Sequence, residues 1–220
     1  MSRRDPNQPG RHDTRVIHQV ASWCLAYPTG DLLDRIPVLR AATESLPPGD
    51  VRDDLERFLH YLTETPIGQL QRRYVDVFDL SRKHALYLSY WTDGDTRRRG
   101  EVLLAFKERY RASGFLVDTH GELTDYLPLV LEYAALADPT DGLALLQEYR
   151  ASLELLRLGL LESDPTYAAL VTAVCSTLPG ASPVDRAAVH AMAAAGPPQE
   201  DVGLEPYDPR LLPLSPGGAR

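Results

Sequence analysis

Aromatic rings are concentrated between residues 74 and 91. Five of them fall in these 18 positions, and polar residues that favour helix ends interrupt them. Aromatic side chains provide large apolar contact areas at binding surfaces, where a few polar groups set the register. The pattern predicts either a groove with aromatic walls that accepts an apolar peptide, or helices whose rings fill the core. The rings belong to Tyr74, Phe78, Tyr87, Tyr90 and Trp91.

A second segment, residues 121–135, places carboxylates just before an apolar helical pattern. Asp125 is positioned to cap a helix that starts at Tyr126, and Pro128 then falls in the first turn. As a cap, such a carboxylate contributes about 1 kcal/mol. At the mouth of a groove, beside Glu122, it can instead pair with a guanidinium in a bidentate manner. The face predicted for this helix comprises Tyr126, Leu129, Tyr133 and Leu136.

Patterns typical of catalysis or metal binding are weak in this chain. The six histidines show none of the HxH, HxxxH or HExxH spacings, and no P-loop, GxGxxG or GxSxG motif occurs. We therefore predict no enzymatic activity and no metal or cofactor. The alternative is a metal-dependent helical hydrolase, which requires acids such as Asp79 and Asp125 to converge with His84 and His120.

Composition and charge narrow the possible classes of protein. The chain has 220 residues, 44% of them hydrophobic and 25% charged, and a formal net charge of −8. These are globular proportions, and the acidic balance argues against a nucleic-acid partner, which needs a basic face. Residues 113–149 carry seven acids and no Lys or Arg, whereas residues 72–99 carry seven basic residues and four acids. The two stretches either attract each other or leave an acidic surface for an arginine-bearing peptide.

The elements that must position these groups are helices. Apolar periodicity close to 3.6 residues runs through residues 14–195 and predicts one all-α globular domain of roughly eight to ten helices. Pro-Thr-Gly at 28–30 and Pro66 interrupt it, and Asp164 and Ser182, each followed by proline, predict helix starts. Cys24 and Cys175 lie in apolar segments, so we expect buried free thiols.

Both ends of the chain differ from the predicted domain. Residues 1–13 form a polar tail, which we expect to be flexible. Residues 196–220 contain ten Pro and Gly among 25 positions, which predicts an extended tail. The Arg pair near the N-terminus lacks the apolar run of an export signal, and no run approaches the length of a membrane span. We therefore expect a cytoplasmic protein without membrane insertion.

Four motifs together resemble the NarJ branch of the NarJ/TorD/DmsD family of redox-enzyme maturation chaperones. They are Tyr-Val-Asp-Val-Phe-Asp at 74–79, Leu-Tyr-Leu at 86–88, Gly-Asp-Thr-Arg-Arg-Arg-Gly at 94–100 and Glu-Leu-Thr-Asp-Tyr-Leu-Pro at 122–128. The resemblance extends along about residues 14–195. Tyr126 stands where His is common in the wider family, which fits the NarJ branch, and Thr124 stands where Pro is usual.

The resemblance implies an all-helical cytoplasmic chaperone. Its implied partner is the N-terminal peptide of the apo nitrate reductase catalytic (alpha) subunit, held for molybdenum cofactor insertion before membrane docking. Another molybdenum reductase is the alternative client. A homodimer is left open, and so is a C-terminal tail that covers the groove through residues 210–212. The residues that the resemblance places at or near the peptide groove are Tyr74, Phe78, Asp79, Tyr87, Glu122, Asp125 and Tyr126.

Overall fold

The computed structural model describes residues 9–93, 98–119 and 121–195, which form eleven α-helices. The first six are α1 (Arg11–Leu25), α2 (Gly30–Glu44), α3 (Asp50–Glu64), α4 (Ile67–Tyr74), α5 (Tyr90–Asp93) and α6 (Arg98–Ala112). The others are α7 (Leu127–Glu132), α8 (Pro139–Glu148), α9 (Arg150–Ser163), α10 (Pro165–Ser176) and α11 (Arg186–Ala195). The predicted all-α fold is confirmed. The predictions for residues 1–8 and 196–220 lie outside the described residues.

Three short turns complete the helical architecture. A π-helical turn continues α4 (Val75–Asp79), a second continues α7 (Tyr133–Ala137), and a 3-10 turn covers Arg82–His84. Among the described residues, Tyr87 and Tyr126 form an isolated antiparallel β-bridge. The helices therefore provide the scaffold, and the bridge joins two of its loops.

Helix α10 lies at the centre of the core. It packs against α1, α3 and α9, and seven of its twelve residues are buried, because its sequence is almost continuously apolar. Cys175 on α10 and Cys24 on α1 are buried free thiols, as the sequence predicted. Burial raises the pKa of both thiols, so they remain protonated and unreactive near neutral pH.

Helix α10 begins at the Asp164-Pro165 pair, as the sequence predicted, and Asp164 also positions α4. Asp164 caps the helix, because its carboxylate accepts hydrogen bonds from the backbone N–H groups of Thr166 and Tyr167. Its second oxygen accepts a 2.7 Å hydrogen bond from Arg73 Nε. This ion pair fixes α4, which ends at Tyr74 and whose continuation carries Phe78, against the central helix.

The prediction of a helix start at Ser182 is wrong. Helix α11 begins at Arg186, and Asp185 accepts a 2.8 Å hydrogen bond from Ala188 N, as a capping residue does. The Ser182 hydroxyl instead donates a 2.7 Å hydrogen bond to the buried Glu154 carboxylate. A buried charge needs this donor more than a solvent-exposed helix end does.

A close approach at Gly159 fixes the loop that leads to Tyr87. A Cβ at this position would lie 3.1 Å from the Lys83 carbonyl oxygen, so the 3-10 turn rests directly on the backbone of α9. The neighbouring His84 is buried, with Nδ1 2.9 Å from the Val77 carbonyl oxygen and Nε2 2.9 Å from Ser163 Oγ. The turn is therefore anchored on both α9 and the first π-helical turn. Nowhere in the described ranges is a helix long and apolar enough to cross a membrane.

Candidate functional site

The antiparallel bridge brings together the two segments that the sequence singled out. Leu88 N donates a 3.0 Å hydrogen bond to the Asp125 carbonyl, and Leu127 N donates a 2.7 Å bond to the Leu86 carbonyl. The bridged residues, Tyr87 and Tyr126, place their rings 5.5 Å apart. Directly opposite residues in an antiparallel pair point their side chains to the same side, which explains this ring contact.

Tyr74 joins the bridge to the helical core. Its hydroxyl lies 2.9 Å from the Tyr126 hydroxyl and also donates a 3.2 Å hydrogen bond to the Leu25 carbonyl. Burial raises the pKa of Tyr74 strongly and that of Tyr126 to about 12. Both hydroxyls are therefore neutral at physiological pH, and the pair acts as a polar link between α4 and the residues preceding α7.

Phe78 lies deeper than a groove wall would. It is 7% exposed, and its ring lies 4.9 Å from Tyr74 and 4.8 Å from Tyr167 on the central helix. Of the two interpretations left open by the sequence, the core interpretation describes Phe78. The π-helical turn that carries it follows α4 directly, and such turns are frequent at functional sites.

Two carboxylates flank the half-buried tyrosines. Glu122 is exposed, and its Oε2 accepts a 2.8 Å hydrogen bond from the Tyr87 hydroxyl. Burial, followed by this hydrogen bond, raises the pKa of Tyr87, so its hydroxyl remains a donor. Asp79 is also exposed, and its charge contributes to the raised pKa of both Tyr74 and Tyr126, which places it near them.

Asp125 differs from the other two acids because it is buried, at 0% exposure. The prediction that it caps the following helix is wrong: α7 begins at Leu127, with no side-chain cap. Its Oδ2 instead accepts hydrogen bonds from Ser89 N, at 3.0 Å, and from Ser89 Oγ, at 2.6 Å. The bridge holds Asp125 beside Ser89, which directly precedes α5. The carboxylate of Asp125 therefore binds Ser89 and does not cap the N-terminus of α7.

The predicted face of α7 is correct at Leu129 and Tyr133, which are buried, and wrong at Leu136, which is 54% exposed. The reason is the π-helical turn at Tyr133–Ala137. Its wider winding changes the angular spacing of side chains, so a position assigned with the α-helical period of 3.6 residues no longer faces the core.

Three residues of the site were missed in the sequence. Tyr27 is 44% exposed, and its ring meets Tyr74 edge-on at 5.4 Å. In the sequence the helical period of Val16, Val20 and Trp23 continues to Tyr27, but α1 ends at Leu25, so Tyr27 lies beyond the helix. Ser89 gave no signal. Arg99 lies beside Asp125, and the opposite charges of residues 72–99 and 113–149 were the available signal for this contact.

Two hollows, of about 270 and 490 Å³, lie outside the candidate site and contain none of the seven predicted residues. The first is lined by residues 115–118 and the second π-helical turn, and the second by residues 9–13 and 46–52. Within the part of the chain that the structure describes, no group of three or more His, Cys, Asp or Glu residues is arranged to hold a metal. His120, which the hydrolase alternative requires, lies outside that part.

Comparison with known proteins identifies relatives along most of the chain. The model of the family "Nitrate reductase delta subunit" matches residues 45–173. The nitrate reductase-like protein NarX of Mycobacterium tuberculosis is 41% identical over 162 residues, which are 74% of this chain and 24% of NarX. The chain thus spans about a quarter of that relative.

Two further relatives are named as chaperones. The probable nitrate reductase molybdenum cofactor assembly chaperone NarJ of Bacillus subtilis is 31% identical over 166 residues, covering 76% of this chain and 90% of NarJ. NarJ of Escherichia coli is 32% identical over 130 residues, covering 59% and 54% of the two chains. The prediction of an assembly chaperone rather than an enzyme agrees with these names.

A solved structure supports the fold. A protein from Archaeoglobus fulgidus assigned to redox enzyme maturation superposes with a TM-score of 0.55 at 22% identity, covering 73% of this chain and 91% of its own. The family match and the Bacillus relative agree with the resemblance read from the four motifs. The chain belongs to the nitrate reductase delta subunit family, the family of the NarJ proteins.

Proposed function

We propose that this protein is an assembly chaperone for a molybdenum-containing nitrate reductase. It binds the N-terminal peptide of the catalytic subunit at the candidate site and holds the apoenzyme until the molybdenum cofactor is inserted. The names of the NarJ relatives support nitrate reductase as the client, and the geometry of the candidate site supports binding of a peptide there. The predicted residues of the two segments lie side by side, which is the observation that carries the proposal.

The outer residues of the site suit a peptide that combines apolar and basic side chains. Tyr27, Tyr87 and Tyr126 are each partly exposed and provide apolar area with little conformational freedom to lose. Asp79 and Glu122 add negative charge at the edge of these rings. Carboxylates at a rim set the register and accelerate association, and their contribution falls as salt is added.

The inner residues support this surface rather than form it. Tyr74 and Phe78 are 4% and 7% exposed, and their rings pack on Tyr167 of α10. Tyr74 holds Tyr27 in place through a ring contact and Tyr126 through a hydroxyl contact, and the Phe78 ring packs beneath Tyr74. Substitution of Phe78 by Ser is therefore expected to lower the stability of the fold along with peptide affinity.

Calorimetric titration with a synthetic N-terminal peptide of the nitrate reductase catalytic subunit tests the proposal. We expect saturable binding that weakens with salt, and weaker binding by the Glu122→Gln variant. Glu44→Gln, which removes an exposed carboxylate on α2 outside the site, is the matched control and should bind as the wild type does.

Absence of binding by the wild-type protein would contradict the proposed function. Equal losses in the Glu122→Gln and Glu44→Gln variants would place the peptide elsewhere. Tighter binding of the corresponding peptide from another molybdenum reductase would change the client. Light scattering with and without peptide tests the homodimer, which stays a prediction.

A further inference from the structure

The buried carboxylate of Asp125 has more capacity for hydrogen bonds than its neighbours use. Both bonds from Ser89 reach Oδ2, while Oδ1 is buried and has no hydrogen-bond partner among the described residues. A buried carboxylate oxygen without a donor is costly, since it has lost its hydration without replacement. An arrangement of this kind indicates a place where a further donor binds.

A guanidinium of the chain itself lies at this place. Arg99 Nη2 is 3.9 Å from Asp125 Oδ2, which is close enough for an ion pair but longer than a hydrogen bond. The same guanidinium carbon lies 5.7 Å from the ring centroid of Tyr87 and 5.9 Å from that of Tyr90. Both distances fall within the range of cation–π attraction.

We propose that Asp125, Ser89, Tyr87 and Tyr90 form a guanidinium-binding site, which Arg99 fills in the resting chain. We further propose that an arginine of the bound peptide takes the place of Arg99. This second step rests on the proposed function. Two aromatic rings and a carboxylate suit a planar guanidinium better than a compact ammonium, which cannot stack on rings or pair in a bidentate manner.

Arg99 has the position that an exchangeable occupant needs. Its side chain is 16% exposed and so reaches solvent, whereas Asp125 is fully covered. A peptide arginine can therefore reach the carboxylate only after Arg99 has moved. Exchange of one guanidinium for another leaves no buried charge unpaired, which avoids the large cost of breaking a buried ion pair.

The anchoring of α6 permits this movement. Its buried residues are Phe106 and Tyr110, on the C-terminal side of Arg99. The Tyr110 hydroxyl donates a 2.7 Å hydrogen bond to the Thr124 carbonyl, and Thr124 Oγ1 donates a 2.8 Å bond to the Leu103 carbonyl. These bonds hold the middle and end of α6 against the site. Arg99 lies in the first turn of α6, so its side chain can shift while these anchors stay in place.

Chemical rescue tests the guanidinium site without any peptide. We expect Arg99→Ala to lower the melting temperature, and ethylguanidinium chloride to raise it again relative to sodium chloride at equal ionic strength. Ethylammonium chloride should not do so. The matched control is Arg111→Ala, which removes an exposed arginine from the same helix and should show no selective response to ethylguanidinium.

Peptide titration tests the exchange. If Arg99 fills the site in about nine of ten molecules, its removal tightens the binding of an arginine-bearing peptide about tenfold. The gain should disappear when the peptide arginines are replaced by lysine. If Arg99→Ala does not fold, Arg99→Gln serves in both experiments, since it removes the guanidinium and keeps two of the three methylene groups of the stem.

The outcomes separate this inference from the proposed function. Equal or weaker peptide binding by the Arg99 variants, with normal binding by the wild type, overturns the exchange and leaves the chaperone proposal intact. Lack of selective rescue by ethylguanidinium overturns the guanidinium site. Lack of peptide binding by every variant contradicts the proposed function, while the rescue experiment still decides whether the site exists.

Discussion

Two buried carboxylates in this protein, Glu154 and Asp125, are each 0% exposed, and each lies beside arginine. Glu154 uses both oxygens: Oε2 accepts a 2.6 Å hydrogen bond from Arg157 Nε, and Oε1 accepts a 2.7 Å bond from Ser182 Oγ. Asp125 uses one oxygen, and its arginine remains 3.9 Å away. Both oxygens of the Glu154 carboxylate therefore accept hydrogen bonds, whereas one oxygen of the Asp125 carboxylate does not.

The surroundings of Glu154 show what saturation achieves. Arg150 donates to the carbonyls of Pro179, Gly180 and Ala181, and Arg157 donates to that of Pro183. These hydrogen bonds connect α9 to residues 179–183, which lead into α11, and we call this cluster the α9 latch. The two arginines of the latch are buried and donate to the backbone of their own chain, whereas the Arg99 side chain beside Asp125 is 16% exposed. The difference distinguishes a structural ion pair from an exchangeable one.

The largest expected effect is the loss of the latch carboxylate. Glu154→Ala leaves two buried arginines without their counter-charge and should lower the free energy of unfolding by about 3–5 kcal/mol. Its control is Glu148→Ala, because Glu148 pairs with Arg109 at 2.9 Å but is 56% exposed. Removal of that exposed pair should cost about 1 kcal/mol or less. Urea unfolding of both variants measures the difference, and similar losses would show that the latch is not structural.

The sequence predicted the helical framework well, because framework positions repeat with the helical period. The apolar residues of one such period, Leu55, Phe58, Leu59 and Leu62, are the buried residues of α3. The latch could not be predicted in this way. Its charged residues lie on a helix whose period gives no reason for their burial. Ser182 was predicted to cap a helix, but its hydroxyl donates to the Glu154 carboxylate instead.

The sequence named seven residues of the candidate site, but neither their contacts nor Tyr27, Ser89 and Arg99. The motifs at 74–79 and 122–128 carried the family resemblance, so their residues were named before any contact was known. Periodicity does not encode an isolated bridge between two loops, so the burial of Asp125 against Ser89 was missed. The partner Arg99 occurs in the motif at 94–100 and in the charge imbalance, and neither pattern predicts its contact with Asp125.

Acidification should lower the free energy of unfolding through His18, which lies near the latch. His18 is buried and its Nε2 lies 2.9 Å from Thr177 Oγ1, just before residues 179–183. Burial lowers the pKa of His18 from 6.5 to about 4. The unfolded chain therefore takes up a proton first as the pH falls. Stability from the neutral imidazole is complete above pH 6.5 and declines between pH 6.5 and 4, by about 3 kcal/mol in total.

Comparison of the wild type with His18→Gln isolates this contribution from the titration of the acids. The free energy of unfolding of the wild type should fall more steeply between pH 6.5 and 4 than that of the variant. Parallel pH curves would mean that His18 binds its proton as readily in the folded protein as in the unfolded chain, which its burial beside Thr177 does not favour.

A smaller effect on stability is expected at the incomplete carboxylate. Asp125→Asn preserves an oxygen that accepts from Ser89 and should cost about 1–2 kcal/mol. The isosteric counterpart, Glu154→Gln, should cost more, because it weakens a charge-assisted bond from Arg157 and leaves two buried arginines. Peptide affinity should show the opposite order, with a large loss in Asp125→Asn and little change in Glu154→Gln. If both measurements give the same order, the two carboxylates have the same role.

The smallest expected effect is at the rim of the site. Tyr87→Phe removes the hydroxyl that donates to Glu122 Oε2 and keeps the ring that faces Arg99. A hydrogen bond to an exposed carboxylate competes with water, so the free energy of unfolding should change by about 0.5 kcal/mol or less. Tyr87→Ala removes the ring as well and should weaken peptide binding clearly more than Tyr87→Phe does. Equal effects of the two substitutions on affinity would assign the role to the hydroxyl, and the ring would then not be a wall of the guanidinium site.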